Sequence, residues 1–214
     1  MMKLVKSTDG IVSRYINRRV STRITMFIVK RGINISPNQM TVISSIIGAL
    51  SALIYLSNNP LIAGICVQIS SIIDGVDGEL ARILGKTSKF GGFLDSILDR
   101  FVDIAVIICI SIYLIGYSAN IELLTLISTL ALSGDLMVSY IHARGEATLG
   151  IHPVKIGVRV GFASRDVRLF IIFLGSVVEQ FMRGTLLYTL AVIAVISYCY
   201  VILKLIDASR HYKE

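Results

Sequence analysis

Tryptophan is absent from this chain, and proline and cysteine occur three times each in 214 residues. So little proline, with long Ile, Leu, Val, Ala and Ser runs that show no two-residue alternation, argues against a β-barrel and for helices. Cys66, Cys109 and Cys199 each stand inside an apolar run, with neither a CxxC pair nor a histidine at ligand spacing. That pattern argues against a disulfide or zinc site and for small buried side chains. Charge is also scarce, 16% of residues against 54% hydrophobic, and the mean hydropathy is +0.76. The length alone suits one soluble domain, but this apolar fraction places the chain among membrane proteins. The net charge is +7, from 21 Lys and Arg against 14 Asp and Glu. A nucleic-acid binder would pool that excess on one soluble face beside stacking aromatics, whereas here the basic residues cluster at the ends of apolar runs, so no nucleic-acid partner is expected. No internal repeat, low-complexity segment or linker divides the chain.

What remains is an all-α integral membrane protein, with six transmembrane helices preceded by an amphipathic juxtamembrane helix. Residues 1–35 interleave Lys3, Lys6, Arg14, Arg18, Arg19, Arg23, Lys30 and Arg31 with Ile11, Val12, Tyr15, Ile16, Val20, Ile24, Met26 and Phe27. This suits an interfacial helix and lacks the long apolar core of a signal peptide. Residues 36–214 hold the six-helix domain. Ser36 as N-cap and Pro37 at the first helical position open the first span, and Asn58, Asn59 and Pro60 break it. The second span runs from Pro60 through "DGVDGELARIL", and the third from a cap at Thr87 or Ser88 to about Tyr117. The fourth covers about Ile121 to Ile141, the fifth Val167 to Phe181 and the sixth Thr185 to Ile206. His142 to Ser164 reads as a loop. Connections after spans one, three and five hold only Arg183 among basic residues. Lys and Arg excess marks the cytoplasmic side, so both termini and the charged turn after span two are expected there, in a multi-pass protein of the cell membrane.

That turn carries the chemistry. Asp74 and Asp77 are three residues apart and Asp95 and Asp99 four, so each pair shares one helix face, and Gly85 lies in the turn between them. Four converging carboxylates repel one another unless a cation neutralises them, and hard oxygen ligands at this density suit Mg²⁺, Mn²⁺ or Ca²⁺. Two other readings stay open: an ion network with Arg82, Lys86, Lys89 and Arg100, and an ion or proton pathway of the kind intramembrane acids line in transporters. A transporter would spread acids through the membrane depth and show an inverted repeat, whereas these acids share one level. Gly75, Gly78, Ala81, Gly91 and Gly92 beside the acids leave room for a bulky phosphorylated ligand, each glycine costing about 1 kcal/mol in helix propensity.

Asp74, Asp77, Gly78, Ala81, Arg82, Gly91, Asp95 and Asp99 together reproduce D-x2-D-G-x2-A-R-x8-G-x3-D-x3-D, the pattern of the CDP-alcohol phosphotransferase family, which the chain resembles over nearly its whole length. The resemblance implies that Asp74, Asp77, Asp95 and Asp99 hold one or two divalent ions, Mg²⁺ or Mn²⁺. Asp99 would also serve as general base toward the acceptor hydroxyl, with Asp95 beside it in catalysis. It further implies nucleotide contacts from Pro37, Asn38 and Thr41 in "PNQMT" and from Gly78, Ala81, Arg82, Ser88 and Gly91. The donor would be a CDP-alcohol, the product CMP, and the assembly a homodimer among membrane lipids.

For the acceptor, Lys89, Arg144, Arg159 and Arg165 are the candidate phosphate ligands, because guanidinium forks bind phosphate in bidentate fashion. A phosphorylated polyol is therefore expected. "STDGIVSRYINRRVSTRIT" (7–25) and "QISSIIDGVDGELARI" (68–83) resemble the di-myo-inositol phosphate phosphate synthases, which join CDP-inositol to inositol 1-phosphate. The alternative is a phospholipid synthase using CDP-diacylglycerol or CDP-archaeol. Those synthases are often fused to a nucleotidyltransferase; here a separate protein is expected to supply the CDP-alcohol, unless the chain is a fragment of a bifunctional enzyme. Asp103 and Asp135 read as a buried network tying spans three and four. His142 and His152 read as solvated or interfacial. Tyr188, Tyr198 and Tyr200, with Gly184, Ala191, Ala194 and Ser197, read as a helix-packing or dimer face.

Overall fold

All three prolines open helical segments. The computed structural model describes residues 10–157 and 161–211, and every regular element among them is helical. A wide turn over Ser13–Asn17 leads into α1 (Arg18–Lys30). Ser36 then caps α2 (Pro37–Leu56) in a reciprocal capping box with Gln39, satisfying two otherwise orphan backbone donors. Pro60 opens α3 (Pro60–Ile83), and Ser88 caps α4 (Lys89–Ile115) by accepting from the Gly91 amide at 3.0 Å. The intervening turn needs a positive φ, which Gly85 supplies at +63°. Asn120 caps α5 (Ile121–Leu149), Pro153–Lys155 forms one 3₁₀ turn, and α6 (Arg165–Glu179) and α7 (Thr185–His211) complete the chain.

Four helices, α2, α3, α5 and α7, are long and apolar enough to cross a membrane. α4 has the length, but its first half carries Asp95, Asp99, Arg100 and Asp103. α6 has 15 residues, a rise of about 22 Å. Both pack into the bundle on one side: α4 packs on α2 and α5, α6 on α3 and α7, and α5 on α7, while Phe101, Ile112 and Ile115 of α4 and Leu174 of α6 stay exposed. Tyr55, Val67, Val106, Ile110, Leu186, Leu190 and Ile193 make the main core. At one end of it buried Glu179 accepts from the Gly184 and Leu186 amides at 2.8 Å and from Tyr113, capping α7 from a neighbouring helix.

Several expected boundaries move. α5 does not stop at Ile141 but runs on to Leu149, because "HARGEAT" is built mostly of helix-compatible residues, and Gly150 in the left-handed conformation ends it. Gly145, which reads as a loop residue, is there because a Cβ would sit 2.3 Å from the Pro153 ring. α6 starts at Arg165 and ends at Glu179, and α7 extends to His211 through the polar tail.

α1 docks in an unusual sense. Its buried residues are Ser21, Thr25 and one apolar side chain, Ile28, with Asn17 buried just before, while Tyr15 and Ile16 of the preceding turn and Val20, Met26 and Phe27 of the helix point outward. The anchor is Glu79 of α3, fully buried, which accepts from Ser21 and Thr25 at 2.7 Å, Arg18 at 2.8 Å and Thr22 at 3.2 Å. Thus the amphipathic helix turns its hydroxyl face to the protein and leaves much of its apolar face uncovered, the orientation a lipid interface stabilises.

Candidate active site

The Gly85 turn sends α4 back along α2, on which α3 also packs, so side chains from the last turns of α3 and the first turns of α4 converge. One carboxylate oxygen from each of Asp74, Asp95 and Asp99 lies within 4.8 Å of the others. Two oxygens on a single Mg²⁺, Mn²⁺ or Ca²⁺ are about 3–5 Å apart, so these three side chains fit a divalent ion. Asp77 faces the same cleft but stands outside that trio: Thr41 Oγ1 donates to one of its oxygens, and the other accepts from the Gly78 amide.

Arg165 stands among the acids. Its Nη1 lies 2.8 Å from Asp99 and 3.4 Å from Asp74, and its Nε 3.0 Å from Asp103. One guanidinium shared by three carboxylates, with Asp95 alongside, leaves the cluster short of positive charge, which is the electrostatic demand a bound cation meets. Behind it runs a buried network. Arg100 bridges Asp103 at 2.9 Å and Asp135 at 3.2 Å, and Arg168 holds Asp135 at 2.6 Å. Asp103 and Asp135 therefore tie α4 to α5, as expected, and also recruit both arginines of the first turn of α6.

The acids open onto a cleft of about 680 Å³. Asp74, Gly75, Asp77 and Gly78 of α3, Asp95, Asp99 and Arg100 of α4, and Arg165 and Arg168 of α6 line it, with Arg14, Asn17 and Arg18 on the amino-terminal side and Ser139, His142, His152 and Tyr200 across from α3. Of the residues expected at the nucleotide, only Gly78 borders the cleft. Thr41 acts on Asp77, and Asn38, Ser88 and Gly91 meet one another at the mouth of α4, where a Cβ on Gly91 would lie 3.0 Å from Ser88 Oγ and 3.1 Å from Asn38 Oδ1. Pro37 opens α2 beside them, while Ala81 and Arg82 lie half-buried a turn beyond Gly78. Of the acceptor candidates, Arg165 reaches the acids. Lys89 and Arg144 are exposed and border no part of the cleft, because each sits on an outward helix face, and Arg159 lies outside the described residues. Reading the sequence did not single out Arg18 or Arg168 as site residues, although Arg165 and Arg168, three apart, announce one helix face. His142 and His152, expected to be solvated or interfacial, are partly buried with rings 4.7 Å apart.

Comparisons with known proteins find relatives in both sequence and fold. The chain is 49% identical over 138 residues to the bifunctional IPC transferase and DIPP synthase of Thermococcus kodakarensis, covering 64% of this chain and 30% of that protein. It is 38% identical over 205 residues to the protein of the same name from Archaeoglobus fulgidus, covering 94% of this chain and 39% of that one. The chain thus spans less than two fifths of these bifunctional relatives. It is also 34% identical to the archaetidylinositol phosphate synthase of Pyrococcus horikoshii, over 83% of this chain and 86% of that protein. The fold matches that of Mycobacterium tuberculosis phosphatidylinositol phosphate synthase, crystallised with CDP-DAG bound, at a TM-score of 0.72 and 24% identity, over 88% of this chain and 93% of that one. Residues 34–201, which run from the cap of α2 into α7 and so include all four aspartates, match the sequence model of CDP-alcohol phosphatidyltransferases, and the chain belongs to that family.

Proposed function

We propose that this protein transfers a substituted phosphate from a CDP-alcohol to the hydroxyl of a phosphorylated polyol, releasing CMP. The observation that carries this is the convergence of Asp74, Asp95 and Asp99 within 4.8 Å on a cleft also lined by arginines. We assign the inositol pair, CDP-inositol plus inositol 1-phosphate, on the strength of the two DIPP synthase relatives. The archaetidylinositol phosphate synthase relative supports the alternative, a lipid CDP-alcohol as donor.

In this reading Asp74, Asp77, Asp95 and Asp99 hold one or two Mg²⁺ or Mn²⁺ ions; the Mycobacterium tuberculosis fold relative has also been crystallised with manganese and citrate. The bound ions supply Lewis-acid stabilisation of the phosphoryl group and of the CMP leaving group. Thr41 holds Asp77 in place by its hydroxyl. Asp99 takes the acceptor proton, and Arg165, ion-paired with it, orients the carboxylate and places positive charge where the acceptor phosphate would bind. A carboxylate that binds metal is a weakened base, so an acceptor positioned close to Asp99 matters more than its basicity. Gly78 lets the nucleotide approach the backbone of α3. We further place six spans in the cell membrane, α4 and α6 crossing beside the four apolar helices, with α1 at the interface and both termini and the cleft cytoplasmic. A homodimer, and a nucleotidyltransferase activity that supplies the donor, complete the proposal.

The test is CMP release by purified protein with CDP-inositol or with CDP-diacylglycerol or CDP-archaeol, each with inositol 1-phosphate. Turnover with CDP-inositol is expected, and turnover of the lipid donors alone refutes the inositol assignment. Asp95→Asn and Asp99→Asn should each abolish CMP release and weaken Mn²⁺ binding measured by electron paramagnetic resonance, while leaving the protein folded. An active double variant would remove the mechanism.

A further inference from the structure

On α5, Asp135, Ser139 and His142 follow one another at four- and three-residue steps, so they share a face. Asp135 holds the arginine network, and Ser139 accepts from Arg100, the residue next to Asp99. Ser139 and His142 border the cleft, and Asp135 lies behind it. The Nε2 of His142 lies 2.8 Å from the Tyr200 hydroxyl, the His142 ring packs at a tilt against that of His152 with centroids 4.7 Å apart, and Tyr200, 2% exposed, is wedged edge-on by Phe162. The ring is thereby locked, with one nitrogen committed to Tyr200, so a ligand can meet only the other.

The two walls of the cleft differ in kind. α3 and α4 bring carboxylates and small residues, suited to ions and a pyrophosphate. The facing wall, from α5, α7 and the segment at His152, brings imidazoles, a phenol and a serine, groups that both donate and accept hydrogen bonds. A phosphate needs cations, and Arg165 and Arg168 supply them; ring hydroxyls need this second kind of group. A purely structural histidine pair has no reason to border the cleft. We propose that His142, fixed by Tyr200 and His152, hydrogen-bonds a hydroxyl of the polyol acceptor and sets the choice of polyol. This rests on the transfer reaction proposed above and adds the residue that discriminates among acceptors.

The experiment compares CMP release by wild type, His142→Phe, His142→Asn and Tyr200→Phe with inositol 1-phosphate and with glycerol 3-phosphate, using whichever CDP-alcohol the wild type turns over. Phenylalanine keeps a ring and removes its hydrogen bonds. His142→Phe is expected to raise KM for inositol 1-phosphate about tenfold with donor KM unchanged, and to lower the preference for inositol 1-phosphate over glycerol 3-phosphate by a similar factor. His142→Asn, which restores a donor and acceptor, should recover part of that preference. Tyr200→Phe should shift it the same way by about threefold, and because it removes a single oxygen it carries the test if His142→Phe does not fold. Equal losses with both acceptors, a fall in kcat alone, or an equal rise in donor KM overturns the assignment of His142. A wild type that releases no CMP with either phosphorylated polyol overturns the underlying reaction as well, and that result is visible before any variant is made.

Discussion

Replacing Glu79 with glutamine removes one charge and almost no volume, yet it should loosen an entire helix. In the native protein four side chains of α1 converge on this fully buried carboxylate. The damage is less than the sum of four bonds, because two donors keep another acceptor: Thr25 Oγ1 reaches Ser21 O at 2.9 Å, and Arg18 Nη1 reaches Gly75 O at 3.0 Å. What is lost is the charge opposite Arg18 and one of the two acceptor oxygens: glutamine keeps an oxygen for Ser21, itself fully buried, and sets an NH2 group against Thr25. Breaking one partner of a buried pair costs about 3–5 kcal/mol, and the retained contacts put this case near 3 kcal/mol. The loss falls on the docking of α1 rather than on the main core, which α1 does not join. Amide hydrogen exchange over residues 18–30 should therefore accelerate by roughly a hundredfold at about 1.4 kcal/mol per factor of ten. Global unfolding, read by the reaction of buried Cys109 with a thiol dye in a Cys199→Ser background, should move little. Because Asn17 and Arg18 border the cleft, substrate KM values should rise. Exchange of α1 within threefold of wild type would refute the claim that this carboxylate anchors the helix.

Two further outcomes follow from buried polar groups. Arg168→Met leaves Asp135 buried with Arg100 as its remaining partner, so thermal unfolding should drop by the equivalent of about 3 kcal/mol, and Asp135→Asn added to it should restore part of the loss; an unchanged Tm would contradict the network. Burial holds the His152 imidazole below its ordinary 6.5, against the opposing pull of Glu146 and with help from Lys155, and its Nδ1 accepts from the Val154 amide at 3.3 Å. The unfolded chain then binds this proton more readily, so the stability contribution is complete above about pH 6.5 and shrinks as pH falls below it. A His152→Asn variant should flatten that part of the Tm profile, and an unaltered slope would assign it to other groups.

Local rules carried the reading wherever neighbours along the chain suffice. Ser36 with Gln39, Pro37, Pro60 and Ser88 mark helix starts by capping chemistry alone, and the spacing of Asp74, Asp77, Asp95 and Asp99 marks two acidic faces joined by a glycine turn. The "HARGEAT" stretch misled because glycine at 145 signals a loop locally, while its actual cause is the Pro153 ring eight residues away.

By itself, then, the sequence determined the helical class, the membrane character, the acidic cluster and the family pattern, all properties of periodicity, composition and short spacing. Only the tertiary structure decided which cations stand near the acids. Arg165 reaches Asp99 across 66 positions while Lys89, ten residues from it, faces outward, because helix packing sets distance independently of separation along the chain. It likewise decided that α1 turns its hydroxyls inward, since the acceptor that makes this favourable, Glu79, belongs to another helix.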